Sequence, residues 1–198
     1  MPFKQGLAAN IAIIGIGNIL FKDEGLGIYA TEYLKQNYQF SPNVDLIDGG
    51  TLGMNLIHYY QSYEQVILLD TISVESSTKG KLKDAAESGA VYSLDSETLQ
   101  GLGAYRKTAH EVEVLQTLEL AALTGETAKI QVIAMVPEDI QTVAIQLSQT
   151  VEQAMPLMIQ TTIEYLESLG IEVKANSKPV SLIQIEQSYQ FRHAPSCA

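Results

Sequence analysis

The sequence predicts an α/β fold, a three-layer αβα sandwich around a twisted, mostly parallel sheet of about five strands. Three observations predict it. Ile11–Ile16, Val66–Leu69 and Ile130–Val136 are short runs dominated by aliphatic residues, the pattern of strands buried on both faces. Helical periodicity fills stretches between them, and each run stops at a turn former or an acid: Gly15-Ile16-Gly17-Asn18, Asp70 and Pro137. Strands that alternate with helices and are apolar on both sides need helices on each face of one sheet.

Taken in order, the Ile11 run is followed by a helical pattern from about Gly25 to Gln36. A second short strand is expected at Val44 to Ile47, closed by Asp48-Gly49-Gly50, with a short helix from Leu52 to about Tyr60. Val66 to Leu69 gives the third strand. Gly89 to Leu94 fits an edge strand, with antiparallel pairing as one option. Thr108 and Glu111 have capping-box spacing, in which hydroxyl and carboxylate each satisfy a free backbone N–H, so a helix is expected from Thr108 to about Leu123. After the Ile130 strand, Thr150 and Gln153 open a long helix to Leu169, with Pro156 near its start and Gly170 as C-cap. The organisation expected is one domain over residues 1–173. Residues 174–198 form a C-terminal appendage, read on composition as a disordered tail, with Ile183, Ile185, Tyr189 and Phe191 as the means to dock instead.

Composition narrows the function classes. The 198 residues carry 12 basic and 23 acidic side chains, a net charge of −11, which opposes binding to nucleic acid and to anionic membranes. Apolar residues make up 46%, enough for a packed core without metal or disulfide staples. The single cysteine, Cys197, allows neither an internal disulfide nor a thiolate cage. No apolar run is long enough to span a bilayer, and the opening residues lack a signal-peptide cleavage site. A cytoplasmic monomer is the expectation.

Ligands of open α/β sheets bind beyond the carboxyl ends of the strands. The residues there are Gly15, Gly17, Asn18, Asp23 and Glu24 after the first strand, then Asp48 after the second and Asp70 after the third. His110 enters in the first turn of the capped helix. Glu24, Asp70 and His110 make a set of two carboxylates and one imidazole, which suits a divalent first-row metal without choosing it. Each has a plain structural alternative: a first-turn acid, a cap and a surface helix residue. The Gly-x-Gly turn and Asp48 invite a dinucleotide-binding reading, but that fingerprint needs glycine where Leu20 stands. No Gly-x-Ser-x-Gly elbow and no Cys/His pair within the domain offers a covalent nucleophile.

Gly15-x-Gly17-Asn18-Ile19-Leu20 followed by Asp23-Glu24-Gly25-x-Gly27 resembles the opening motif of the nickel–iron hydrogenase maturation endopeptidases. Asp48-Gly49-Gly50-Thr51-x-Gly53 resembles that family's second motif, and Asp70 and His110 continue the pattern in order. The resemblance runs from about Ile11 to Gly170. It implies a protease that removes a short C-terminal extension from a hydrogenase large-subunit precursor after nickel insertion. It further implies that Glu24, Asp70 and His110 contact nickel supplied by that precursor, as a recognition signal. Asp48 matches an acid near the same site, and its role as the catalytic, proton-handling carboxylate is a hypothesis. Nickel would be either a Lewis acid or an anchor. The alternatives are a non-catalytic, nickel-sensing assembly factor and a nucleotide-binding α/β protein. Lys107-Thr108-Ala109 stands before His110 where relatives often carry a proline, and nothing familiar follows Lys174.

Overall fold

The computed structural model describes residues 10–42, 44–72, 87–101, 109–124 and 128–193. Its centre is a five-stranded sheet of β1 (Ile11–Ile16), β3 (Asp45–Gly50), β4 (Gln65–Thr71), β5 (Val91–Asp95) and β6 (Lys129–Met135), in the order β3-β1-β4-β6-β5. The first four are parallel, and β5 pairs antiparallel with β6 at the edge. All seven residues of β4 are buried, as a central strand between two layers requires.

The strands' side chains alternate between two cores. On one face Ile13, Ile67, Leu69 and Ile133 pack with α1 (Leu26–Asn37) and α5 (Gln149–Ser168). On the other Ile14, Leu68, Val132 and Ala134 pack with α2 (Leu56–Ser62) and α4 (Ala109–Thr124). A further short helix, α3 (Ser96–Gly101), follows β5. The three-layer αβα sandwich expected from the apolar runs is the architecture observed.

The long helix starts two residues earlier than the Thr150–Gln153 signal suggests. Ser148 is its N-cap, accepting the Val151 N–H, and Pro156 lies within the continuous helix. Gly170 ends the helix region with a φ of 84°. Thr108 and the side chain of Glu111 lie outside the described residues, as do 194–198 with Cys197.

The disordered reading of 174–198 is corrected for residues 174–193. β7 (Glu172–Ala175) pairs antiparallel with β2 (Tyr38–Ser41), a strand that immediately follows α1. Asn37 then clamps Val180, its amide donating to the Val180 carbonyl at 3.0 Å while its Oδ1 accepts the Val180 N–H at 2.6 Å. α6 (Leu182–His193) lays Ile185 and Tyr189 into the α1–α5 core, Tyr189 meeting Tyr29 edge-on with centroids 5.5 Å apart. Only every fourth residue of α6 is needed for this contact, so its composition stays polar while its apolar side is buried.

Candidate active site

Strand order places the site. The chain leaves β1 in one direction to β3, then returns across β1 to β4, so the direction reverses between β1 and β4. That switch point opens a crevice at the carboxyl edge of an α/β sheet, because the connections on its two sides go to opposite faces. Glu24 lies in the short 3-10 turn Lys22–Gly25 after β1, and Asp70 is the penultimate residue of β4. The two residues therefore stand at the carboxyl ends of neighbouring strands, one on each side of the switch point.

The turn carrying Glu24 is held by close backbone contact. Gly17, at φ 141°, donates its N–H to the Gly50 carbonyl at 2.9 Å, and Asn18 donates to the Glu24 carbonyl at 3.1 Å. A Cβ on Gly17 would meet the Glu24 oxygen at 1.8 Å, and one on Gly27 would meet the Leu69 oxygen at 2.0 Å. Glycine at these positions lets the start of α1 settle directly on the ends of β1 and β4. These glycines thus serve protein packing, which removes the physical basis of the dinucleotide reading.

Asp23 is fully buried and its carboxylate accepts four hydrogen bonds: from Ser148 N at 2.6 Å, Ser148 Oγ at 2.8 Å, Asp139 N at 2.8 Å and Glu138 N at 3.0 Å. It ties the Glu24 turn to the loop between β6 and α5. The neighbouring Lys22 ammonium bonds Asp139 at 2.9 Å. Hydrogen bonds from the Thr142 side chain and Lys22 hold the Asp139 carboxyl well below the usual carboxylate range. Sequence reading noted Asp23 only as one of several acids. The motif spacing places it beside Glu24, but its role depends on Ser148, 125 residues away.

Asp70 is 5% exposed. Its Oδ1 accepts the Thr71 N–H at 2.7 Å. It is in register with Ala134, hence on the α2–α4 side of the sheet. Burial, with the Asp70 charge adding to it, pushes the Tyr60 hydroxyl up from its ordinary range. His110 is the second residue of α4, whose side chain is outside the description there. α4 runs back to the start of β6, so its first turn stands at the same carboxyl edge as Glu24 and Asp70. Among the described residues no group of three or more His, Cys, Asp or Glu is arranged to hold a metal.

Asp48 sits differently. It is in register with Gly15, and Gly15 with Leu69, so the pleat directs it to the α1 side, opposite to Asp70. It is exposed, and its Oδ1 accepts the Gly50 N–H at 3.0 Å in a tight local turn. A register shift between Gly15 and Ile16 follows immediately, which ends the regular pairing with β3 there. Glu24, Asp48, Asp70 and the start of α4 share one edge of the sheet, and the pleat separates Asp48 from Asp70.

Known proteins match this chain along most of its length. The model of the HycI hydrogenase maturation protease family matches residues 28–165. Protein HydD of Wolinella succinogenes is 32% identical over 160 residues, 79% of this chain and 95% of that one. The hydrogenase 2 maturation protease of Escherichia coli is 27% identical, over 82% and 93% of the two chains. The solved hydrogenase maturating endopeptidase HybD from E. coli superposes with a TM-score of 0.74 at 27% identity, covering 85% of this chain and 98% of that one. The fold agrees with these matches, and the chain belongs to the hydrogenase maturation protease family, whose members are endopeptidases.

Proposed function

We propose that this endopeptidase removes a short C-terminal extension from a hydrogenase large-subunit precursor once nickel has been inserted, with the nickel carried in by the precursor as the signal for cleavage. The observation that carries this reading is the placement of Glu24 and Asp70 on the two sides of the β1–β4 switch point. Their carboxylates, with the His110 imidazole from the first turn of α4, offer oxygen and nitrogen donors that fit a first-row divalent ion. Three donors leave positions open for groups of the precursor, as a transient contact to a substrate-borne ion needs.

Nickel at that point either polarises the scissile carbonyl or anchors the precursor. The chain's own carboxylates handle the proton. Asp48 takes one proton from the attacking water and returns it to the departing amine, so hydrolysis needs no covalent nucleophile. Asp48 is exposed and stands at the same carboxyl edge of the sheet, on the strand next to β1. Our reading takes the enzyme to be a cytoplasmic monomer. The acidic charge supports a protein partner over nucleic acid. Among the described residues no helix is long and apolar enough to cross a membrane.

The test mixes nickel-loaded and nickel-free precursor with this protein and with its His110→Ala variant and follows electrophoretic mobility. The reading expects a shortened product only from the loaded precursor with the unmutated protein. Equal cleavage of both precursors removes nickel from the account, and tight binding without cleavage favours the sensing role.

A further inference from the structure

We propose that Glu186, on α6, is a positioning residue for the active-site turn, acting through Leu147, Ser148 and Asp23 on Glu24. The inference rests on the assignment of Glu24 to the cleavage site. Its structural part stands on geometry alone.

Two buried carboxylates hold consecutive amides of the β6–α5 connection. Glu186 Oε1 accepts the Leu147 N–H at 2.9 Å, and Asp23 Oδ1 accepts the next one, Ser148 N–H, at 2.6 Å. Asp23 is adjacent in sequence to Glu24, and its own N–H donates to the Asp139 carbonyl at 3.1 Å. The turn after β1 thus has its position set by the 138–148 segment. That segment in turn is held from the far side by α6, because Gln190 also donates to the Ile145 carbonyl at 2.7 Å. α6 is fixed by the Tyr29–Tyr189 contact and the Asn37–Val180 pair, so Glu186 is anchored to the body of the domain. A carboxylate 5% exposed is costly to keep there unless its hydrogen bond is needed. Simple packing of α6 would be better served by an apolar side chain.

The experiment compares full-length Glu186→Leu, Glu186→Gln and, as a destabilised control from the α5 core, Met158→Ala. Amide hydrogen exchange and cleavage of nickel-loaded precursor are measured for each well below its unfolding temperature. Glutamine keeps the oxygen that Leu147 needs, and leucine removes it. The expectation for Glu186→Leu is exchange at the Leu147, Ser148, Glu138 and Asp139 amides about tenfold faster than in the unmutated protein, against little change in β1 and β4, with cleavage about tenfold slower. Glu186→Gln should restore both, and Met158→Ala should show neither selectively. Exchange and rate losses that follow global stability, as in Met158→Ala, overturn the proposal. So does selective exchange with cleavage unchanged. If the unmutated protein cleaves no precursor, the assignment of function fails, and the exchange pattern still decides whether Glu186 holds the turn.

Discussion

The α-carbon of Gly17 faces the carbonyl of Glu24 so closely that a Cβ would stand 1.8 Å from that oxygen. The backbone at Gly17 also has φ 141°, which L side chains rarely adopt. Gly17→Ala therefore forces the Glu24 turn outward and strains the chain at once. A loss of ~3 kcal/mol in urea unfolding is expected, together with loss of precursor cleavage. Unchanged stability would show that the turn yields without cost.

Asp23 is fully buried and holds four donors, three of them backbone amides. Asp23→Ala leaves them unsatisfied, at a cost of ~3 kcal/mol in chemical denaturation. Because the lost contacts fix the residue next to Glu24, cleavage should fall further than the lost stability explains at temperatures where the variant is folded. A variant as stable as the parent would refute the clamp.

Glu186 gives a pH dependence of definite sign. Burial pushes its carboxyl up to about 7 from 4.5, the Leu147 N–H opposing and the charges of Glu152 and Asp23 adding to the rise. Between those values the folded state binds more protons than the unfolded one. The contribution of the neutral acid is thus complete below pH 4.5 and is lost as pH rises through about 7. Measured against Glu186→Gln, the unmutated protein should lose ~2–3 kcal/mol between pH 5 and pH 8. Parallel stability curves for the two proteins would contradict this.

Asp48 is the proposed proton carrier. Asp48→Asn preserves the acceptor for the Gly50 N–H and removes the basicity. Cleavage should drop by about a hundredfold or more with stability within ~0.5 kcal/mol of the parent. A variant that cleaves at the parental rate transfers the proton role to another carboxylate.

The sheet was legible because β1, β4 and β6 are buried on both faces and must be almost continuously apolar. The edge strand β5 was readable near Gly89–Leu94, and its direction is set by pairing with β6, which only the structure gives. β2 and β7 escaped because four-residue strands carry too few alternations, and β2 follows α1 without a turn. α6 escaped because its buried side includes Glu186, a residue that pattern reading assigns to solvent. The places of Glu24 and Asp70 at the carboxyl edge of the sheet were legible from the apolar runs that precede them. Asp23 was visible as a letter and invisible as a clamp, since its partners lie more than a hundred residues on. The opposite faces of Asp48 and Asp70 follow from register, which sequence spacing does not determine.

The most direct test of the central claim is mass spectrometry of the C-terminal peptide released from nickel-loaded precursor by the unmutated protein, Glu24→Gln and Asp70→Asn. The account predicts release by the unmutated protein, dependent on nickel, and a loss of about a hundredfold or more in each variant with the fold intact by circular dichroism. Release at parental rate by either variant would contradict the assignment of that carboxylate to the substrate's nickel.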